Sequence, residues 1–321
     1  MAMPRDLYIC HTPYQLLIAF VRALRAGGGQ AVWLCDTIPA AETLSAKLGA
    51  AFDETAILHE DRWPGLVTGP LGHWRNRRAY EQRGVGPKLD RKRYRDIYIC
   101  NDWSVVGRYL QDCNAGYILC EDTVGGTLDP DQHLLDAQRA APAGPYAYWG
   151  DSPACAKIES EDAARCTIFP PERLATFSKK ALLESLTEAE KTAVRNVFLT
   201  KPLPNDAAAL AEATLLLPRD FVADGLLNEA DQRVMFRAVA AQYPGPLYLK
   251  THPRDATDYA VLFPDAVILD RTMPSEVLNF CLPGKFARAV TVQSWVLRGF
   301  TGAEQTIFWS LDDAKALAGL S

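Results

Sequence analysis

No run in the sequence approaches the roughly 18–20 uninterrupted apolar residues that a membrane-spanning helix needs. Nor is there a positive excess: the formal net charge is −5, which speaks against a nucleic-acid partner. The glycine signatures GxGxxG, GxxxxGK[ST] and GxSxG are absent, as is HExxH, so dinucleotide, P-loop, serine-hydrolase and zincin chemistry have no support. The 8 cysteines form no CxxC pair and no zinc spacing with histidine. Four of them close the apolar runs "LYIC", "VWLC", "IYIC" and "YILC", where a free thiol serves as a small hydrophobe. Reduced thiols in a cytoplasmic core are the expectation. A metal-binding DxD is missing too, since "DPD" at 129–131 contains Pro130 and reads as a turn. No basic region precedes the first apolar run, and Asp6 abuts it, so that run is expected to be a first strand rather than a signal peptide.

What is present is an ordinary globular composition, 48% apolar and 23% charged, in 321 residues, a length for about two domains. Short apolar runs alternate with amphipathic stretches from the start: "DLYICHT", then "PYQLLIAFVRALRAGGG", opened by proline and closed by glycines, then "QAVWLCD". Continuous apolar strands separated by helices predict parallel sheets covered on both faces. The alternation lapses after about residue 160, where polar helix formers and a capping box, Thr187 with Glu190, predict a connecting helix. It resumes at "EATLLLPRD" and continues through "PLYLKTHP", "DAVILDR", "ARAVTVQS" and "EQTIFWS". The expected plan is α/β, with a Rossmann-like domain over residues 1–165, a connecting helical segment over 166–205 and a second Rossmann-like domain over 206–321. Two such domains facing one another leave a cleft for ligands. Residues 64–95 interrupt the pattern with Arg75, Arg77, Arg78, Arg83, Lys88, Arg91, Lys92, Arg93 and Arg95. They form either a solvated face or a basic rim for an anionic glycan or an anionic membrane leaflet.

Several polar residues stand where open α/β sheets bind ligands, at the carboxyl ends of strands. His252 ends "PLYLKTHP", and Pro253 favours an extended backbone that aims the imidazole outward. Lys250 and Arg254 alternate with it, so the spot favours an anion such as a leaving phosphate, although a surface histidine in a turn has the same sequence. Glu121 and Asp122 end "YILCED", and Asp224 with Gly225 follows another strand. Either aspartate is placed to act as a general base toward a sugar hydroxyl, while Asp-Gly is also a plain turn signal. Glu276, behind Pro274, is placed to hold a ribose diol or to cap its helix. Gln293 and Ser294 precede an expected helix whose first amides suit a phosphate, with N-capping as the simpler role for Ser294. At the first strand's end, "CHTPYQLL" displays His11, Thr12 and Gln15.

Taken in order, these pieces resemble the bacterial lipooligosaccharide sialyltransferases, glycosyltransferase family 52, relatives of the bacterial polysialyltransferases. The resemblance rests on "TPYQLLIA" from Thr12 to Ala19, an acidic-glycine motif, His252-Pro253, Pro274 with Glu276, and Ser294. It implies a GT-B fold and an inverting, metal-independent transfer of sialic acid from CMP-sialic acid to a bacterial surface glycan, with no cofactor. It further implies an aspartate base, Asp224 or Asp122, and His252 stabilising the departing phosphate. Pro253, Lys250, Glu276, Gln293 and Ser294 would hold the CMP-sugar, and His11, Thr12, Gln15 and Glu121 the acceptor. The acidic motif departs from the family's, with Ala223 before Asp224 and Thr123-Val124 after Asp122, which leaves the base open between the two. Alternatives are a transferase using CMP-Kdo or a UDP-sugar, and a non-catalytic glycan- or nucleotide-binding module. Expected partners are the nucleotide sugar and a glycan acceptor, without nucleic acid; a homodimer and peripheral contact with the cytoplasmic face of the inner membrane are compatible with this reading.

Overall fold

The computed structural model describes residues 4–122, 146–252 and 255–320. Pro253, Arg254 and the "DPD" at 129–131 lie outside them. The chain divides into two compact units, Met1–Glu190 and Lys191–Ser321.

The first unit holds a parallel sheet of β1 (Arg5–Cys10), β2 (Gln30–Cys35), β3 (Phe52–Leu58), β4 (Tyr94–Ile99), β5 (Tyr117–Cys120), β6 (Cys155–Ser160) and β7 (Leu174–Thr176). Their spatial order is β3-β2-β1-β4-β5-β6-β7, so the winding reverses between β1 and β4. In register, Leu7 and Ile9 of β1 lie beside Ala31 and Trp33 on one side and Ile97 and Ile99 on the other. Both faces are covered, which is why β1 and β2 read as unbroken apolar runs. On one face the core includes Tyr80 of helix α3 (Gly72–Arg83) and Tyr109 of helix α4 (Val105–Asp112), stacked 3.8 Å apart; α2 (Ala41–Ser45) is a short turn before β3. On the other face runs α1 (Pro13–Arg25), with Thr12 as its N-cap and Pro13 in its first turn.

The stretch expected to begin a connecting segment at residue 166 belongs instead to this unit. Leu174–Thr176 pairs with Ile158–Ser160 and completes the sheet, and the division falls at 190/191, inside the 166–205 stretch. The capping box is as expected: Thr187 Oγ1 accepts from the Glu190 amide at 3.2 Å, and Glu190 accepts from the Thr187 amide at 2.7 Å. Arg25 also donates to Glu190 at 2.7 Å. Arg25 first, then the Thr187 amide and hydroxyl, hold the Glu190 carboxyl down at about 2 against the opposing effect of burial. A depressed carboxylate stabilises the fold above its unfolded value, ordinarily 4.5, and loses that contribution as pH falls toward about 2. Glu190→Gln is therefore expected to flatten the dependence of melting temperature on pH across that acid window. Equal slopes in both proteins would show that the pair contributes nothing.

The second unit holds β8 (Thr214–Leu217), β9 (Leu247–Leu249), β10 (Val267–Ile268), β11 (Phe286–Val292) and β12 (Ala303–Trp309), all parallel, in the order β10-β9-β8-β11-β12. Here the winding reverses between β8 and β11. The helices Glu229–Ala240 and Leu311–Leu317 contribute Met235, Phe236, Val239 and Ala314 to a core over Leu216, Leu249, Val290 and Val292. The α/β class with a Rossmann-like sheet in each half is thus as the sequence predicted. All eight cysteines are free, and no helix among the described residues is long and apolar enough to cross a membrane.

Candidate functional site

The polar residues singled out from sequence fall into two groups, one at the carboxyl edge of each sheet. In the first unit they gather where the winding reverses, the place at which an open α/β sheet offers a crevice. Gln15, buried on α1, organises that point. Its Oε1 accepts from the His11 amide at 2.7 Å, and its Nε2 donates to Asn101 Oδ1 at 2.8 Å and to Asp122 Oδ1 at 2.7 Å. The turn after β1, the end of β4 and the end of β5 are thereby tied to one amide. Thr12 caps α1, its hydroxyl accepting from the Gln15 amide at 3.1 Å. The ring of His11 reaches Glu60 at 3.4 Å, and Glu60 also accepts from the Val106 amide. Burial pushes the Glu60 carboxyl up, but the His11 contact and the amides of Val106 and Val105 outweigh it and hold the group below its ordinary value.

Glu121 and Asp122, adjacent in sequence, have opposite fates. Glu121 is buried, its Oε2 accepting from Ser160 Oγ at 3.1 Å and from the Glu161 amide at 2.6 Å, while its carbonyl accepts from the buried Lys179 ammonium. It anchors the end of β5 to the end of β6. Asp122 is half-buried and lines an open pocket with Tyr14, Gln15, Tyr98, Phe177 and Lys179. Inside this pocket Arg22 makes a two-pronged pair with Glu159 at 2.6 and 3.2 Å, sandwiched between the rings of Tyr98 and Phe177. The sequence carried a signal for Arg22. Positions 15, 18, 19 and 22 share one helical face, and two of the four are polar on a stripe that faces the sheet.

In the second unit, Arg219 sits just beyond β8 and bridges the reversal of winding. Its Nε donates to Asp224 Oδ2 at 2.8 Å and its other arm to the Gln293 carbonyl, beyond β11, at 2.7 Å. Gln293 adopts φ 42°, a left-handed conformation that non-glycine residues take at a cost of about 1–2 kcal/mol. Sequence reasoning missed Arg219, because "PRDFVADG" reads as a turn. Asp224 itself is exposed in that turn, ahead of Gly225 at φ 69°.

Beyond β9 the chain runs through buried Lys250 and Thr251 to half-buried His252, whose carbonyl accepts from the Asp255 amide at 3.1 Å. Lys250 donates to the carbonyls of Thr251 and Arg271 at 3.0 and 3.2 Å. Burial lowers its ammonium to about 8, with Glu276 and Asp270 pulling the other way. Desolvation raises the Glu276 carboxyl above its ordinary value, opposed by its own amide, by Ser275 and by the charge of Lys250. Glu276 stands in a single 3-10 turn, Ser275–Val277, that leads into the short helix Leu278–Cys281. Ser294 likewise opens only a three-residue 3-10 turn, its hydroxyl accepting from the Val296 amide at 3.3 Å. The longer helix expected there does not form, since Gly299 at φ 79° turns the chain away within one turn. An array of helix amides for a phosphate is therefore not what Ser294 offers; it offers its hydroxyl.

The structure thus brings Asp224, Lys250, His252, Glu276, Gln293 and Ser294 to one edge of the second sheet, and His11, Thr12, Gln15, Glu121 and Asp122 to one edge of the first. The two candidate bases belong to different units. Among the described residues, His11 with Cys35 and Glu60, and Asp36 with His59 and Asp61, have ligand atoms within 4.8 Å of one another and are the groups able to hold a metal ion.

Residues 175–296 match the family model of glycosyltransferase family 52, a span that contains Arg219, Asp224, Lys250, His252, Glu276, Gln293 and Ser294. An uncharacterized protein of Haemophilus influenzae is 34% identical over 86 residues, which is 26% of this chain and 28% of that protein. The chain therefore spans under a third of the length of this relative. In fold the chain is similar to an alpha/beta-galactoside alpha-2,3-sialyltransferase from the luminous marine bacterium Photobacterium phosphoreum. The TM-score is 0.54 at 10% identity, over 99% of this chain and 95% of that one. The family match over residues 175–296 supports the family-52 reading raised by the sequence motifs, and the likeness to the solved structure bears on the fold.

Proposed function

We propose, from the family-52 match over residues 175–296, that the protein is a glycosyltransferase moving sialic acid from CMP-sialic acid to a bacterial surface glycan. The observation that carries this reading is that the matched span delivers Arg219, Lys250, His252, Glu276 and Ser294 to one strand-end edge, the place and the chemistry for an anionic nucleotide. The transfer is inverting and needs no metal. An acceptor hydroxyl attacks the anomeric carbon of the sugar as the bond from that carbon to the phosphate oxygen breaks. The electron pair leaves with CMP, and the hydroxyl proton passes to a carboxylate.

His252 and Arg219 stabilise the charge that develops on the phosphate, and Glu276 holds the ribose. Asp122 is assigned as the base in preference to Asp224. One oxygen of Asp224 is committed to a guanidinium, whereas Asp122 is oriented by a neutral amide.

The test is a thermal-shift series with CMP, UDP and GDP. Ligand bound to the folded state raises the melting temperature by mass action. A shift with CMP alone is expected, together with CMP release in the presence of acceptor that EDTA does not diminish. A shift with UDP or GDP alone would keep the family and discard the sialic acid donor.

A further inference from the structure

Residues 64–95 hold nine basic side chains and two acidic ones, Glu81 and Asp90, in a chain whose net charge is −5. Part of this charge is neutralised within the fold: Arg77 pairs with Glu81 at 3.1 Å and Arg95 with Asp6 at 2.7 Å, and Arg93 pairs with Glu54. Arg75, Arg78, Arg83 and Lys88 are exposed, and no carboxylate among the described residues pairs with them. Beside these cations lie exposed apolar side chains: Leu66, Leu71 and Trp74 are 37%, 58% and 56% accessible. The Arg78 guanidinium covers the Trp74 ring one helical turn away, at 5.4 Å.

The display is built into the fold. Helix α3 turns Gly72, Asn76 and Tyr80 inward. Asn76, fully buried, accepts from the Val67 amide at 2.9 Å and donates to the Val67 carbonyl at 2.9 Å and to the Tyr146 hydroxyl at 2.7 Å. Its amide therefore pins the loop ahead of α3 at Val67, with Leu66 and Leu71 on the solvent side and Trp74 and Arg78 on the outer face of the helix.

We propose that residues 64–78, extended by Arg83 and Lys88, form a docking surface for an anionic lipid bilayer. Cations alone would suit a soluble polyanion equally well. The apolar side chains decide for the bilayer, because tryptophan and leucine gain by entering the boundary between headgroups and acyl chains while the guanidiniums meet the phosphates. Each basic side chain brought against an anionic leaflet strengthens binding by roughly fivefold, so four give an affinity that salt erodes. The inference does not depend on the donor or acceptor of the proposed reaction.

The test is co-sedimentation of the full chain with vesicles of phosphatidylcholine alone and with added phosphatidylglycerol, at low and high salt. Binding to the anionic vesicles is expected to exceed that to the neutral ones by at least about tenfold. Arg75→Glu with Arg78→Glu is expected to abolish the difference. Leu71→Ser with Trp74→Ser is expected to weaken binding at both salt concentrations. Melting temperatures should be unchanged, since all four side chains are exposed, and Leu66→Ser alone provides a milder variant with the same expected direction. No sedimentation of the wild type, or equal binding by every variant, overturns the proposal. So does binding to heparin, as a soluble polyanion probe, that survives the serine variants while vesicle binding is absent; that outcome assigns the patch to an anionic glycan.

Discussion

Replacing Asp122 by asparagine is expected to lower kcat by about 10²–10⁴-fold, the range for loss of a positioned general base, while the CMP-induced rise in melting temperature stays as in the wild type. Asparagine keeps the shape of the side chain and can still take the Gln15 hydrogen bond through its carbonyl oxygen, so the fold at the end of β5 is preserved. What disappears is the capacity to accept the proton of the attacking hydroxyl. Asp224→Asn serves as the opposing case. It replaces the 2.8 Å ion pair with Arg219 by a neutral contact, so its effect should fall on donor KM rather than on kcat. If the pattern is reversed, with Asp224→Asn silencing turnover and Asp122→Asn altering only KM, the base belongs to the second unit.

His252→Ala is expected to cost about 10²–10³ in kcat, the loss typical of one preorganised donor to a charge that builds up in the transition state. The imidazole sits half-buried just past the buried pair Lys250-Thr251, so truncating it removes little packing and the melting temperature of the free protein should hardly move. A large fall in melting temperature with turnover per folded molecule intact would instead make His252 a structural residue of the loop that Asp255 closes. That loop has its own fastening, Asp255 accepting from Tyr259 Oη at 2.8 Å and from the Thr257 amide at 2.9 Å, which does not involve the imidazole.

The strands were legible because both faces of each sheet are covered, and "LYIC" and "AVWLC" needed no alternation to be recognised. The edge strand Leu174–Thr176 was not. Three half-exposed residues carry too little pattern, so the sequence pattern ends the first unit before it. At the candidate site, position was legible and role was not. "CED" announces two carboxylates at a strand end, but which one turns to Ser160 and which to Gln15 depends on pairing with β6, a long-range fact. Arg219 was hidden for a similar reason, since its partner carbonyl at Gln293 is 74 residues away.

The three hydrogen bonds of Gln15 have a further implication. Because one end of the amide receives the His11 backbone and the other grips Asp122, the turn after β1 and the carboxylate after β5 form a single linked part. Anything that tightens the turn also fixes the carboxylate, and by the reciprocity of linkage anything that loosens the carboxylate loosens the turn. If the turn at His11 and Thr12 holds the acceptor and Asp122 is the base, as the proposed function has it, choice of acceptor and rate of proton removal are then not independently adjustable. A substitution that broadens the range of accepted glycans at this turn should be accompanied by slower turnover.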